Sequence, residues 1–492
     1  MTYLLALALG ALYCIGFAPF DFWLSTAVAI GGLFWLLHVS HAKPWLTAFC
    51  FGVGKYAVGA SWVYVSIHVY GNAPPVLAGL LVAVFVATLS LLFVLPLGWL
   101  YSRLRPVVPW AQMDVFVFVA VWGLLDWFST WAFTGFPWLL PGYAFMQAGT
   151  QGLAPLVGVL GLGVFWVYLS AGSLAFLRCR SRLQGLLILL SLGIAIGSGS
   201  LSWVDAGPVK SVALVQGNID QLTKWLPKEA LPNVQKHLQL SDDHWDADVL
   251  IWPEAAITLF PHQAQGVLEQ LSDRGQATRT DVVLGIPGLQ PLGGGRYDIQ
   301  NLAVGLGTAR GRFAKHHLVP FGEYVPLEGA LRGLISFFDL PMSSSSPGPA
   351  LQPNLVLSSG EAAVAICYEV AYPGSMRRRA ARAGLLITLS NDTWFGRSIG
   401  PLQHMQIAQM RALENGRWLL RATNNGVTAI VNPEGEIAAQ LPQFEANVLR
   451  GDVQIMNGRT PYNRIGDGPL LFLLTGLLVG ALISRFNAGR RT

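Results

Sequence analysis

Ala362-Ala363-Val364-Ala365-Ile366-Cys367-Tyr368-Glu369 is an apolar run that stops at a cysteine and turns polar. A short continuous apolar segment bounded by polar residues reads as a strand buried on both faces. Its end is a place where a nucleophile can be presented at the edge of a sheet, beside a carboxylate. Two other stretches have the same form. Asp248-Val249-Leu250-Ile251-Trp252 runs into Pro253-Glu254, and Arg312-Phe313-Ala314-Lys315 runs through His316 and His317 into a turn carrying Glu323.

Around these three stretches the pattern is one of short β-rich runs punctuated by Pro, Gly and Asn. Val209–Gln216, Asp248–Trp252, Thr280–Ile286, Ala362–Cys367, Leu385–Ser390 and Val427–Asn432 read as strands. Helices are expected over Asn233–Leu240, starting just after Pro232, and over Gln263–Gly275, Ser375–Ala383 and Leu402–Asn415. Alternating strands and helices of this length argue for an α/β domain with buried sheets. That domain spans residues 205–468. Ser343–Ser346 is its one low-complexity piece, read as a loop.

What flanks the domain is different in kind. The 492-residue chain is 53% hydrophobic and only 12% charged, half the charge of an ordinary soluble protein, which excludes both a cytosolic globular enzyme and a disordered chain. Spanning ~30 Å of hydrocarbon takes about 20 apolar residues. Seven such runs fill residues 1–204: 3–20, 24–39, 46–68, 76–100, 115–133, 154–177 and 186–203. An eighth, 469–483, opens the final segment 469–492. The first run lacks a basic leader and a small-residue cleavage site, so it reads as an uncleaved anchor. Lys43, then Arg103 and Arg105, then Arg178, Arg180 and Arg182, then Arg485, Arg490 and Arg491 follow the even-numbered runs, and the loops after runs one, three and five carry no Lys or Arg. Basic loops stay cytoplasmic, so the expectation is an inner-membrane protein with both termini cytoplasmic and the α/β domain on the periplasmic side. The +5 net charge belongs to the membrane segments. The middle holds 22 basic and 24 acidic residues, and this near-neutral balance gives no reason to expect a nucleic-acid partner.

Of four cysteines, Cys14 and Cys50 lie in apolar runs, Cys179 in a basic loop, and Cys367 alone in the α/β domain. A domain in an oxidising compartment usually pairs its cysteines; an unpaired one is either an inert buried hydrophobe or a reactive thiol. Glu254, Lys315 and Cys367 on three strand ends form a possible catalytic set, with the carboxylate as general base and the ammonium stabilising an oxyanion. Taken singly, a Glu or a Lys is more often a solvated surface group. No His/Cys/Asp/Glu grouping has zinc-ligand spacing, and no metal or organic cofactor is expected. Lys55 and Asp126 are ionisable groups inside apolar runs and therefore functional candidates. His68 reads as a headgroup or structural contact, and Arg411, Glu414, Asn415 and Arg417 as a structural ion-pair group.

The phrases WPEAAI around Glu254, KHHLVPFGEYVP around Lys315 and ICYEVAYP around Cys367 resemble the Glu-Lys-Cys signatures of the nitrilase, or carbon-nitrogen hydrolase, superfamily. The membrane architecture, with GASWVYVSIHVYG at 59–71, FTGFPW at 133–138, LVQGNIDQLTKW at 214–225 and SNDTWFG at 390–396, resembles one of its branches, the apolipoprotein N-acyltransferases. The resemblance implies an αββα sandwich attached to a multi-span helical membrane bundle. It implies a ping-pong transfer in which Cys367 takes an acyl chain from a phospholipid as a thioester and passes it to the α-amine of a diacylglyceryl-modified apolipoprotein. Glu254, Lys315 and Cys367 would be the triad, and Trp225, Glu323, Tyr368 and Glu369 would shape the site. The partners it implies are a phospholipid donor, the apolipoprotein acceptor and membrane lipids, with a monomer expected. Gly333–Met342 resembles a lid or membrane-dipping arm; an ordinary core helix is the other reading. A membrane-tethered amidase would use the same triad but leave seven spans without a task. A transporter with Lys55 and Asp126 on its pathway is the remaining rival, and no repeat or paired broken helices support it.

Overall fold

The computed structural model describes residues 1–106, 112–293, 296–326 and 344–489. Two compact units emerge: one of Met1–Tyr64, Pro75–Ser202 and Arg464–Thr492, the other of Val65–Pro74 and Trp203–Asn463.

The first unit is helical. Pro75–Leu104, Gln112–Ser129 and Gln151–Cys179 are long and apolar enough to cross a membrane, and Thr2–Gly16, Trp23–Val39, Arg182–Ser198 and Gly468–Ile483 are shorter apolar helices. Pro75–Leu104 carries a π turn at Ser90–Val94, just before Pro96, where the missing N–H and the ring would otherwise break the ladder. The expected run 46–68 is not one helix. Pro44–Gly59 ends at Gly59, and Ser66–Tyr70 form a π turn in the second unit. There the Ser66 hydroxyl donates to the Trp394 carbonyl at 2.8 Å and Tyr70 meets the Trp394 ring edge-on at 5.9 Å. Partners on the second unit, absent from any local pattern, override the apolar composition.

The second unit contains two six-stranded sheets among the described residues. The first uses β1 (Val204–Gln216), β2 (Val249–Ile251), β3 (Asp281–Gly293), β4 (Arg296–Gly307), β5 (Arg312–Ala314) and β12 (Asn447–Gly458) in the order β12-β1-β2-β3-β4-β5. The second uses β6 (Leu355–Leu357), β7 (Gly360–Ile366), β8 (Leu385–Ser390), β9 (Leu419–Thr423), β10 (Ala429–Val431) and β11 (Ile437–Gln440) in the order β11-β10-β9-β8-β7-β6. Each has a parallel core, β1-β2-β3 and β7-β8-β9, flanked by antiparallel strands. Strand periodicity sets the layers. Val212, Leu214, Val249 and Ile251 face Val364, Ile366, Ile387 and Leu389 in one core; the alternate residues Ala213, Val215, Leu250 and Trp252 pack with Val234 and Leu271 of the outer helices Ala230–Ser241 and Gln265–Thr278. Helices Pro373–Ala380 and Gly400–Asn415 cover the second sheet. The result is an αββα sandwich.

The Ala230–Ser241 helix begins before Pro232 rather than after it, because a proline in the first turn gives up an N–H that has no intrahelical acceptor. Among the strands without a sequence signal, β4 and β12 carry polar residues on exposed faces and are fixed by antiparallel pairing with β3 and β1, whereas β9 is buried throughout, its apolar run interrupted by Arg421.

Candidate active site

The carboxyl ends of β2, β5 and β7 carry Glu254, Lys315 and Cys367, the usual mouth of a parallel sheet. Past β2 the chain turns sharply, with Ala255 at φ +47°. This turn lies so close to β3 that a Cβ on Gly285 would stand 2.6 Å from the Ala255 nitrogen and the Pro253 oxygen. Only glycine fits there. Glu254 is 6% exposed, and its Oε1 accepts from Asn301 Nδ2 at 2.6 Å and from Lys315 Nζ at 3.4 Å. Lys315, 1% exposed, also donates to Glu323 Oε1 at 2.8 Å. The other Glu323 oxygen accepts the Val319 N–H at 2.9 Å, which folds the turn after β5 back onto the lysine. A second buried lysine, Lys224, donates to the backbone oxygen of Glu254 at 3.2 Å.

Burial pushes each charge toward its neutral form, and the neighbours decide the outcome. For Lys315 burial is outweighed by Glu323, Glu254 and Cys367 together, so the ammonium is held well above the ordinary lysine range. Burial raises the Glu254 carboxyl, and Lys315 opposes this only in part. Lys224 has one opposing carboxylate, Glu254, and burial brings it down to about 8.

Cys367 sits in the left-handed region, φ +51°, a conformation that costs a non-glycine residue about 1–3 kcal/mol and persists only when its surroundings enforce it. One enforcing group is Glu369, which is fully buried. Its Oε2 accepts the Ile366 N–H at 3.0 Å; its Oε1 accepts the His316 N–H at 2.9 Å and the His317 N–H at 3.3 Å. The Glu369 carboxylate therefore ties the strand end bearing Cys367 to the turn bearing Lys315. Burial disfavours this charge, but Arg379 Nη2 at 3.2 Å and the backbone donors bring its pKa down to about 2. The Cys367 thiol is pushed far up by burial and then by Glu254, with Lys315 opposing. It rests protonated and needs a base at the moment of attack. A buried ammonium between two carboxylates, electrostatically coupled to a free thiol, is equipped for nucleophilic chemistry on an acyl carbonyl.

Of the other sequence candidates, Tyr368 is buried beside Cys367, its ring edge-on to Tyr372 at 5.3 Å. Trp225 is half-buried next to Lys224; no hydrogen bond joins it to the triad among the described residues, and its indole Nε1 has no acceptor. Gly333–Met342 lies outside the described residues. Asn391 and Asp392 follow β8 with separate tasks. Asn391 donates to Gln221 at 2.7 Å and so fastens the 218–225 loop, whereas Asp392 pairs with Arg421 at 2.7 Å and His404 at 2.9 Å. Arg411 and Glu414 pair with each other, fully buried, at 2.9 Å. His68 Nδ1 meets the Ala73 carbonyl at 2.8 Å. In the helical unit Lys55 Nζ lies 4.9 Å over the Tyr13 ring and 5.3 Å over that of Tyr56, a cation held by aromatic faces. His38, Asp114 and Tyr101 there form a buried hydrogen-bonded triple.

Asn301, Lys224, His404 and Arg421 escaped the sequence reading. The first lies on an alternating strand with no signal. Lys224 directly precedes Trp225 in a phrase already singled out, and its burial alone distinguishes it from a surface lysine.

Residues 211–460 match the carbon-nitrogen hydrolase family, and residues 9–173 match the apolipoprotein N-acyltransferase N-terminal domain. The chain is 43% identical over 500 residues to an apolipoprotein N-acyltransferase of Pseudomonas syringae pv. tomato, covering 98% of this chain and 97% of the relative. It is 42% identical to one of Pseudomonas aeruginosa, covering 98% and 96%, and 39% identical to one of Photobacterium profundum, covering 99% and 96%.

Proposed function

The chain belongs to the apolipoprotein N-acyltransferase family, and from that premise we propose that Glu254, Lys315 and Cys367 carry out acyl transfer through a thioester. Glu254 takes the Cys367 proton as Sγ attacks an ester carbonyl carbon of a phospholipid. Lys315 stabilises the oxyanion, the C–O bond breaks, and the proton on Glu254 passes to the departing lysophospholipid oxygen. The acyl group stays on Cys367. The α-amine of a diacylglyceryl-cysteine at an apolipoprotein N-terminus then attacks the thioester. A C–N bond forms, the C–S bond breaks, and the amine's proton returns through Glu254 to the thiol. One difficult transfer thereby becomes two easier ones at a single site.

The observation that carries this reading is the position of Lys315 Nζ, 3.4 Å from Glu254 and 2.8 Å from Glu323, with a charge coupled to Cys367. Glu323, Tyr368, Glu369 and Trp225 shape the site in this reading. The sandwich would work at the periplasmic face of the inner membrane as a monomer, with both termini cytoplasmic.

Intact mass spectrometry of the purified protein with phospholipid, wild type against Cys367→Ala, tests the chemistry. The wild type should gain one acyl mass, lose it on addition of a diacylglyceryl peptide with a free N-terminus, and yield N-acylated peptide. Release of the label to water instead would mark a lipid hydrolase, and absence of any label on Cys367 would defeat the thioester.

A further inference from the structure

His404 has no task in the acyl transfer just described, yet it touches the backbone of the nucleophile. Its Nε2 lies 3.2 Å from the Cys367 carbonyl oxygen. That oxygen can only accept, so Nε2 carries the proton. The ring's other nitrogen, Nδ1, faces Asp392 Oδ1 at 2.9 Å and Arg421 Nη2 at 3.0 Å. Arg421 Nη2 also donates to Asp392 Oδ2 at 2.7 Å, and the Ser390 hydroxyl donates to Asp392 Oδ1 at 2.7 Å. Each of these four side chains is at most 1% exposed. They come from the end of β8, from β9 and from the Gly400–Asn415 helix. The nearby loop is shaped around them as well, since a Cβ on Gly426 would stand 2.7 Å from Asp392 Oδ2.

We propose that His404 is a positioning residue for Cys367: its Nε2–H holds the Cys367 carbonyl, and the Asp392–Arg421 pair holds the imidazole. The proposal rests on the reading of Cys367 as the nucleophile. A peptide unit is planar, so a fixed Cys367 carbonyl fixes the whole plane leading to Tyr368 and turns the Tyr368 N–H to the opposite side. Glu369 holds the preceding Ile366 N–H. The left-handed residue between these anchors is thus restrained from both directions, by groups on different elements. That double restraint aims Sγ at the carbonyl carbon without any contact between His404 and the substrate. A buried ion pair is a costly way to fill a core; here the Asp392 carboxylate holds Arg421, and Arg421 Nη2 donates to the unprotonated Nδ1 and so keeps the ring's proton on Nε2.

The test uses the full chain in detergent with phospholipid, following Cys367 acylation by rapid-quench intact mass together with kcat and KM. His404→Gln places an amide N–H about where Nε2 was; His404→Asn is polar but too short; His404→Phe keeps the bulk and has no donor. Acylation and kcat are expected within ~5-fold of wild type for His404→Gln and down ~100-fold for His404→Asn and His404→Phe, the size of effect that a misplacement near 1 Å produces. KM for phospholipid should change no more than ~2-fold, because nothing that binds the lipid has moved. A purely structural histidine would instead show in the melting temperature and would not separate His404→Gln from His404→Asn in rate. Equal rates for those two variants, or a change confined to KM, would overturn the proposal; if His404→Phe does not fold, the Gln and Asn pair decides. An acyl label on Cys367→Ala would bring down the nucleophile reading itself, and this proposal with it.

Discussion

The acid limit of the proposed reaction is set at Glu254, which must be ionised to take the thiol proton. Burial lifts its pKa above the ordinary 4.5, so the acylation rate should fall with decreasing pH at a limb above that value. Asn301 Nδ2, 2.6 Å from Oε1, favours the ionised form. Asn301→Ala should therefore move the limb upward by roughly one pH unit, the worth of a hydrogen bond to a charge, as read from a pH–rate profile of acylation. Glu369 works in the opposite sense. Its pKa is about 2 in the folded chain against 4.5, so it contributes stability that is fully present above pH 4.5 and is lost as pH falls toward 2, amounting to roughly 3 kcal/mol. Glu369→Gln should lower the melting temperature at pH 7 and flatten its decline between pH 5 and pH 3. An unchanged acid profile would show that this carboxylate does not brace the site.

Among the elements, helices Thr2–Tyr13 and Pro44–Gly59 pack together at glycines. A Cβ on Gly10 would stand 2.0 Å from the Phe51 carbonyl oxygen, and one on Gly54 would stand 2.0 Å from that of Leu7. Small residues allow this backbone approach where the hydrophobic effect does not drive helices together. Gly54→Leu should cost ~3 kcal/mol or more, at the upper range for overpacking. Gly79→Leu, with nothing within 4 Å of its Cβ position, should be neutral in the same thermal-stability assay. Equal losses would place the helix contact elsewhere.

At the scale of the whole molecule the asymmetry of the basic loops implies one topology. In the proposed topology Cys179, exposed between Arg178 and Arg180, is on the cytoplasmic side. A membrane-impermeant maleimide should leave Cys179 unlabelled in intact spheroplasts and label it after permeabilisation. Labelling before permeabilisation would invert the chain and return the α/β unit to the cytoplasm.

Hydrophobic run length, loop charge and strand periodicity are local properties, so the helical segments, the alternation of strands and helices and the three phrases carrying Glu254, Lys315 and Cys367 were legible along the chain, and the αββα layering followed from the resemblance those phrases carry. The buried faces of β2 and β7 were legible because both sides are apolar. β4 and β12 were not, because half of each strand faces solvent and only pairing holds it in the sheet. The end of the third apolar run at Gly59 was hidden too, since Ser66 and Tyr70 find their partners on Trp394, over 320 residues away. The setting of the site emerged only on folding. Asn301 reaches Glu254 across 47 positions, Glu369 spans 53 to the His316 N–H, and His404 spans 37 to Cys367. Hydrogen bonds and charge coupling depend on distances of a few ångströms, and no spacing along the chain encodes those until the two sheets have closed on each other.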